Sequence, residues 1–453
     1  MATENKIFII VDEDNSKMFP FTETLKCLIP VGNSCTLALL LASLRSLYDG
    51  EIIIIGDDMV GLKNITNSYQ ARWLNKEENY LRQIHSEAEE CTAIAVINGE
   101  VLLDEKDLKD VIDNMGRGAS AMLVKSYDSQ TRSIDTVGVH IHEDSNLIDN
   151  VYAHPRAHYV NGYYCGASVL SSIGISMLSE TDRGYHNINC GQMPDNKYYL
   201  EETLQKAIEV GEMITPIYSG GALKIEFPWQ IAEVNEGFTE RLALMAKDEL
   251  HEAAIVDDSC IVKGFLRIGK NSIIRDRVII EGNCWIGENV LIEKGAIIGK
   301  NCIINDGSKV QYNCKINDNT VIGTNNKIGF NAEITGVTFD GVCAVHGCEV
   351  YSIIGRKVDI AAGVQTAVLR FDDAYTTQNV KGKKYTSPYC SFICIGDYCR
   401  TGVNNVFLPG VKVGSRSALG PCLMVDKDIP ANSLLLVKQE TITKEWGSHK
   451  YGW

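Results

Sequence analysis

Along the C-terminal half of the chain, branched apolar residues recur every six positions. Stepping from Ile268 gives Ile274, Ile280, Ile286, Ile292, Ile298, Ile304, Val310, Ile316, Ile322, Ile328 and Ile334. Four residues after these stand Ser272, Val278, Cys284, Val290, Ala296, Cys302, Ser308, Cys314, Thr320, Asn326 and Ala332, nearly all small. An amphipathic helix repeats near ~3.6 residues and a half-buried strand near ~2, so neither accounts for this spacing. A period of six fits short strands joined by turns and stacked as a β-helix, with one large branched and one small residue per face pointing inward. Gly, Asn and Asp fill the intervening positions, as in "IGENVL", "IGKNCI" and "INDNTV", and supply turn conformations at the corners.

The register slips after Ile334 at "TGVTFDGVCAVHGCEVYS" and resumes at Ile354 and Ile360. It breaks again for "RFDDAYTTQNVKGKKYTSPYCSF" before a last run at Ile395, Thr401, Phe407, Val413, Leu419 and Val425. Loops that interrupt a solenoid are where function concentrates.

The N-terminal half reads differently. Apolar runs "IFIIV", "EIIIIGDD", "TAIAVINGEVLL" and "ASAMLVKSY" alternate with helical stretches such as "TLALLLASLRSL". Such alternation predicts a mostly parallel sheet covered on both faces, a Rossmann-like α/β domain. Ligands in these sheets sit beyond the carboxyl ends of the strands, which places residues 11–17 and 98–100 at the mouth. The expected division is an α/β domain over 1–235, a linker over 236–265, a hexapeptide-repeat β-helix over 266–435 and a tail over 436–453.

Composition narrows the function classes. The chain has 453 residues, 45% hydrophobic and 22% charged, within the range of soluble globular proteins. A net charge of -15 argues against a nucleic-acid surface, which needs clustered Lys and Arg. No run reaches the ~18 apolar residues of a membrane span, and "MATENK" lacks a signal-peptide core, so a cytoplasmic location is expected. The 15 cysteines include no CxxC pair, which predicts neither a disulfide framework nor a zinc ribbon; small buried thiols in a reducing compartment are expected instead.

More specific phrases point to a family. "FPFTETLKCLIPVGN", "INGE", "VGVHIHEDSNLIDNVYAHP", "VNGYYCGASVLS" and "KIEFPWQIAEVNE" resemble the sugar-1-phosphate nucleotidyltransferases. Joined to the hexads and to "IAAGVQTAVLRFDDAYTTQNVKGKKYTS" and "CIGDYCRTGVNNVFLPGVKVG", the chain is similar to the two-domain nucleotidyltransferase/acetyltransferases, GlmU-like and closest to the archaeal form. The resemblance implies a left-handed β-helix, Mg²⁺ and acetyl-CoA as cofactors, a sugar phosphate or sugar nucleotide as ligand, and a homotrimer or a multiple of it.

It also implies site residues, several of them altered. The family's glycine-rich phosphate turn falls on Glu13 and Asn15, beside Asp12 and Asp14. A carboxylate facing a triphosphate is repelled by ~1 kcal/mol at 4 Å in water and by several times that near a protein surface. Lys17, Lys26 and Asp12 mark the nucleotide-phosphate site. Asn98, Gly138 and Asn161 mark the sugar site, whose Glu-Lys-Pro phrase reads Ala153-His154-Pro155. The two metal-holding aspartates fall on Glu100 and on Lys224, whose ammonium would repel Mg²⁺. In the acyl-transfer half, His346 matches the general base, a role that histidine side chains commonly fill at neutral pH; a satisfied structural histidine is the competing reading. The partner Asn and lysines fall on Val368, Ala374 and Thr377. Thr401, Gly402, Ser415 and Ser417 match the acetyl-CoA coils, whose turns the solenoid itself also requires. Two functions therefore stand open: a retuned transferase of sugar-nucleotide synthesis, or a non-catalytic regulatory or assembly subunit on the same fold.

Overall fold

A computed structural model describes residues 5–57, 60–127, 136–186 and 195–451. The chain divides into two compact units, one of Met1–Met18 with Thr22–Phe238, the other of Phe19–Phe21 with Thr239–Trp453.

The first unit is the α/β domain that the alternating pattern predicts. Its sheet is built around β1 (Lys6–Ile10), β2 (Ile52–Gly56), β3 (Arg72–Asn75) and β4 (Ala93–Asn98), all parallel, in the order β4-β1-β2-β3. Beyond β4 the long strand β5 (Gly162–Ser171) runs antiparallel to it. Successive residues of β1 serve opposite cores: Ile7 and Ile9 pack with α1 (Thr36–Leu47) on one face, Phe8 and Ile10 with α2 (Tyr80–Ala88) on the other. This alternation explains why β1 reads as a continuous apolar run. The chain leaves β1 and β4 at their carboxyl ends on either side of the point where strand order reverses, the usual mouth of an open α/β sheet.

The second unit is a parallel β-helix. Strands return in register after 18 residues, so three hexads make one coil: Leu266 pairs with Cys284, Cys284 with Cys302, and Ile268 with Ile286. Every branched residue of the run from Ile268 to Ile334 lies in one continuous core, at most 2% exposed. The small slot does more than leave room. Ser272 Oγ donates to the Gly287 carbonyl (2.6 Å) and accepts from the Val290 amide (2.9 Å), and Ser308 repeats the pattern with Gly323 and Asn326. Cys284 and Cys302 point their thiols at the carbonyls of Gly299 and Asn317. At the corners Asn271, Asn289, Asn301, Asn313, Asn319 and Asn325 adopt φ between 54° and 59°, the left-handed region that asparagine enters more readily than other side-chain-bearing residues.

The interruptions have two forms. After Asn326 a coil closes in 16 residues instead of 18, which is the slip beyond Ile334. The longer excursion leaves after Thr366 and folds a hairpin from Thr377–Val380 and Lys383–Thr386, after which Ile393–Ile395 rejoins the ladder against Ser352–Ile354. The expected linker over 236–265 is corrected. Gln230–Thr239 is helical, and Glu249–Leu250, Ile255–Val256 and Ile261–Val262 already pair with the next coil. This first coil keeps the six-residue spacing backward from Ile268, at Val262, Val256 and Leu250, which pair with Ile280, Ile274 and Ile268.

Candidate functional site

The turn after β1 carries the acids. Asp12 Oδ1 accepts the Asp14 amide (3.0 Å), and Asp14 Oδ1 accepts the Ser16 amide (3.0 Å). Backbone N–H groups that a glycine-rich turn offers to phosphate are thus capped by the turn's own carboxylates. Two acids of the turn, Asp12 and Glu13, and the nearby Glu226 are also matched by cations. Lys26, 4% exposed, bonds Asp12; Lys76 meets Glu13 at 2.8 Å; Lys17 bonds Glu226 and lies 5.4 Å above the Phe227 ring. Burial alone would raise the Asp12 carboxyl, but Lys26 outweighs it and brings the pKa down to about 2. Asn15, at the second altered glycine, spends its amide on the carbonyls of Thr24 (2.8 Å) and Thr22 (3.4 Å).

Opposite this turn, Glu100 follows β4 and Lys224 sits beside it on a short antiparallel pair, Val101–Leu102 with Leu223–Lys224. Lys224 Nζ lies 3.9 Å from Glu100 Oε1 and 3.8 Å from Glu226 Oε2. Burial pushes the Glu100 carboxyl up despite the pull of Lys224. Against the lowering effect of burial, Glu226 and then Glu100 hold the Lys224 ammonium above its ordinary value. Glu226 is itself raised by burial and lowered more strongly by Lys224 and Lys17, and stays ionised. Among the described residues, no three His, Cys, Asp or Glu side chains are grouped to hold a metal ion. The residues present therefore do not fit Mg²⁺: Glu100 is the one inherited carboxylate, and the Lys224 ammonium stands within 4 Å of it.

The three sugar-site positions are placed as follows. Asn98 ends β4 and packs against Gly166, where an added Cβ would approach its Nδ2 to 3.2 Å. Gly138 is buried, and a Cβ there would lie 2.6 Å from both Pro155 Cγ and Val160 Cγ1, so packing alone demands glycine. Asn161 uses both ends of its amide on the Ile141 backbone, accepting from N (2.8 Å) and donating to O (2.7 Å). Its side chain thereby splices two strands. Glu226 and Lys76 were missed by sequence reasoning. Glu226 lies inside the quoted "KIEFPW" phrase, the only signal that could have flagged it.

In the solenoid, His346 is exposed at a corner with φ 65°, and its ring stacks on Phe330 (centroids 5.3 Å, planes 2° apart), which in turn stacks on Tyr312 (5.9 Å). The Asn or lysine partners expected of an acyl-transfer site are replaced as the sequence shows, and Thr377 instead joins Thr386 across the hairpin at 3.1 Å. Thr401 and Ser415, expected at the acetyl-CoA site, are 9% and 5% exposed. Thr401 Oγ1 accepts from the Ala361 amide (2.9 Å); Ser415 Oγ accepts from the Asp397 amide (3.1 Å) and donates to the Pro20 carbonyl (3.1 Å). Their hydroxyls are thus committed to the fold. Among the described residues no helix is long and apolar enough to cross a membrane.

Parts of the chain match known proteins. Residues 277–311 match the family model described as bacterial transferase hexapeptide (six repeats). The chain is 44% identical over 94 residues to the "Bifunctional protein GlmU" of Methanococcus vannielii, a stretch that spans 21% of this chain and 23% of that protein. It is 39% identical over 79 residues to the "Bifunctional sugar-1-phosphate nucleotidylyltransferase/acetyltransferase" of Sulfurisphaera tokodaii, covering 17% of this chain and 20% of the relative. The matched stretches thus span about a quarter or less of these relatives. Among solved structures, an apo UDP-glucose pyrophosphorylase aligns with 52% of this chain and 99% of its own at TM-score 0.42 and 13% identity.

Proposed function

We propose that this chain, a relative of the GlmU-type sugar-1-phosphate nucleotidyltransferase/acetyltransferases, binds a sugar phosphate or sugar nucleotide in its N-terminal cleft without carrying out Mg²⁺-dependent nucleotidyl transfer. The observation that supports this most directly is the turn after β1, where the Asp14 and Ser16 amides are taken by the carboxylates of Asp12 and Asp14. A triphosphate would have to displace those carboxylates and then sit beside them, at a Coulomb cost of several kcal/mol near a protein surface (~4 kcal/mol per unit charge pair at 4 Å). The role left to the protein is regulatory or assembly, within a cytoplasmic oligomer of identical chains, a trimer or a multiple of it.

A second reading, a retuned acyltransferase using acetyl-CoA, has one observation in its favour. His346 is exposed and oriented by ring stacking, as a general base acting on an incoming amine has to be. Pyrophosphate exchange with a panel of sugar 1-phosphates and nucleoside triphosphates, run beside release of free thiol from acetyl-CoA, tests both. Silence in both assays, with a sugar phosphate or nucleotide still raising Tm, is the expected result. Pyrophosphate exchange above background overturns the first reading, and thiol release lost on His346→Ala establishes the second.

A further inference from the structure

Lys224 stands in the place that a divalent cation would need, its ammonium facing the carboxylates of Glu100 and Glu226. The antiparallel pairing of Leu223–Lys224 with Val101–Leu102 fixes its backbone beside Glu100. Its ammonium lies 3.9 Å from Glu100 Oε1 and 3.8 Å from Glu226 Oε2. Both separations exceed hydrogen-bonding distance, so its N–H donors are not spent on either carboxylate. Glu100 is 2% exposed, and its second oxygen, Oε2, is buried with no hydrogen-bond partner. Glu226, for its part, is shared: Lys17 bonds one of its oxygens and Lys224 faces the other. One carboxylate between two ammonium groups occupies the position that a phosphoryl dianion would take between the same two cations.

We propose that Lys224 is a built-in cation that anchors, with Lys17, the phosphoryl group of a sugar monophosphate in this cleft without any divalent metal, and that excludes such metals from Glu100. This rests on the binding role proposed above and adds to it the ligand class and the metal independence. A single ammonium carries half the charge of Mg²⁺ and directs hydrogen bonds instead of a six-oxygen shell. It suits one phosphoryl group, displacing the Glu226 side chain as the partner of both lysines, and does not suit the polyphosphate clamp of a metal.

The full-length chain is titrated with Mn²⁺ alone, followed by electron paramagnetic resonance, and with glucose 1-phosphate in EDTA and in Mg²⁺, followed by calorimetry. Wild type is expected to bind no Mn²⁺, whereas Lys224→Met gains a Mn²⁺ site that is lost again when Glu100→Gln is added. Glucose 1-phosphate is expected to bind wild type equally in EDTA and Mg²⁺, and about tenfold or more weakly once Lys224 is removed. Lys224→Gln, closer in shape and polarity, keeps the comparison valid if the Met variant folds poorly. Mn²⁺ binding by wild type that Glu100→Gln abolishes overturns the exclusion. Binding of glucose 1-phosphate that requires Mg²⁺ overturns the anchoring but leaves the binding role standing. No binding of any sugar phosphate or nucleotide under either condition overturns the anchoring and the binding role together.

Discussion

Lys26 is hydrogen-bonded through Nζ to Asp12 Oδ2, a pair in which the lysine is almost wholly buried and the aspartate about one-third exposed. The pair has a pH signature. Asp12 titrates at about 2 in the fold against 3.8 for an unperturbed aspartate, burial raising it and Lys26 lowering it further. A depressed carboxylate contributes stability that is fully present above the unfolded value and is lost as pH falls through the folded one. The nominal worth of the shift, ~2.5 kcal/mol, is discounted for solvent screening to about 1 kcal/mol. Denaturant unfolding of wild type and Asp12→Asn from neutral pH down to about 2 is expected to show a gap that closes over the window from 3.8 to about 2. A gap independent of pH in that window contradicts the pairing.

Ser272 tests whether the small slot of the hexad is chosen for size or for bonding. Its hydroxyl serves both a carbonyl and an amide of the next coil, and it is fully buried. Ser272→Ala keeps the volume but strands the Val290 amide and the Gly287 carbonyl, a loss of about 1–3 kcal/mol. Ile286→Ala, in the large slot of the same core, is expected to cost about 2–5 kcal/mol from the cavity. If Ser272→Ala leaves the unfolding midpoint unchanged, size alone governs the slot.

The contrast between the two halves shows what a linear pattern can encode. The solenoid was legible because each inward position repeats at one spacing, so Ile268 through Ile334 announce their common core. The same spacing runs back through Val262, Val256 and Leu250 of the first coil, whereas the 16-residue coils were not legible, since their shortened turns carry no fixed spacing. In the cleft, Lys17, Lys26, Glu100 and Lys224 were legible through their flanking phrases. Their partners were not. Glu226 lies 209 residues from Lys17 and Lys76 lies 63 from Glu13, and nothing local marks either as a counter-charge. Asn161 and Gly138 carried a family role on paper, while strand splicing and a tight contact with Pro155 and Val160 explain them physically.

Asn289 carries the corner geometry. At φ 54° it sits in the left-handed region, and its side-chain oxygen accepts from the Asn271 amide of the coil before (3.2 Å). Asn289→Gly keeps the backbone conformation and loses that exposed bond, for an expected cost below about 1 kcal/mol. Asn289→Val adds a branched Cβ to a left-handed residue and is expected to cost about 1–2 kcal/mol or more. Thermal unfolding of the two variants should rank Val well below Gly; equal values would show that the corner relaxes freely.

Gly138 separates a binding role from a packing role. A methyl added there meets Pro155 Cγ and Val160 Cγ1, each at 2.6 Å, closer than carbon atoms can approach. Gly138→Ala is therefore expected to lower stability by about 1–3 kcal/mol whether or not a sugar is present. A variant with unchanged Tm and weakened ligand binding would return Gly138 to the sugar site.

Thiol reactivity reads out the integrity of the solenoid coil by coil. Burial pushes the thiols of Cys348 and Cys394 up to about 12 and that of Cys399 to about 11, so at neutral pH they carry almost no thiolate, the reactive species. Cys422, at φ 59° on a late corner, is the exposed cysteine among the described residues. A disulfide reagent added to the native protein is expected to modify Cys422 in a fast phase that Cys422→Ser removes. Cys284, Cys302 and Cys314, each fully buried in the small slot, should react only at the rate of unfolding, and denaturant should accelerate them steeply. Fast native-state labelling of those three would mean that the coils open locally, and the continuous core from Ile268 to Ile334 would then not be the cooperative unit that its packing implies.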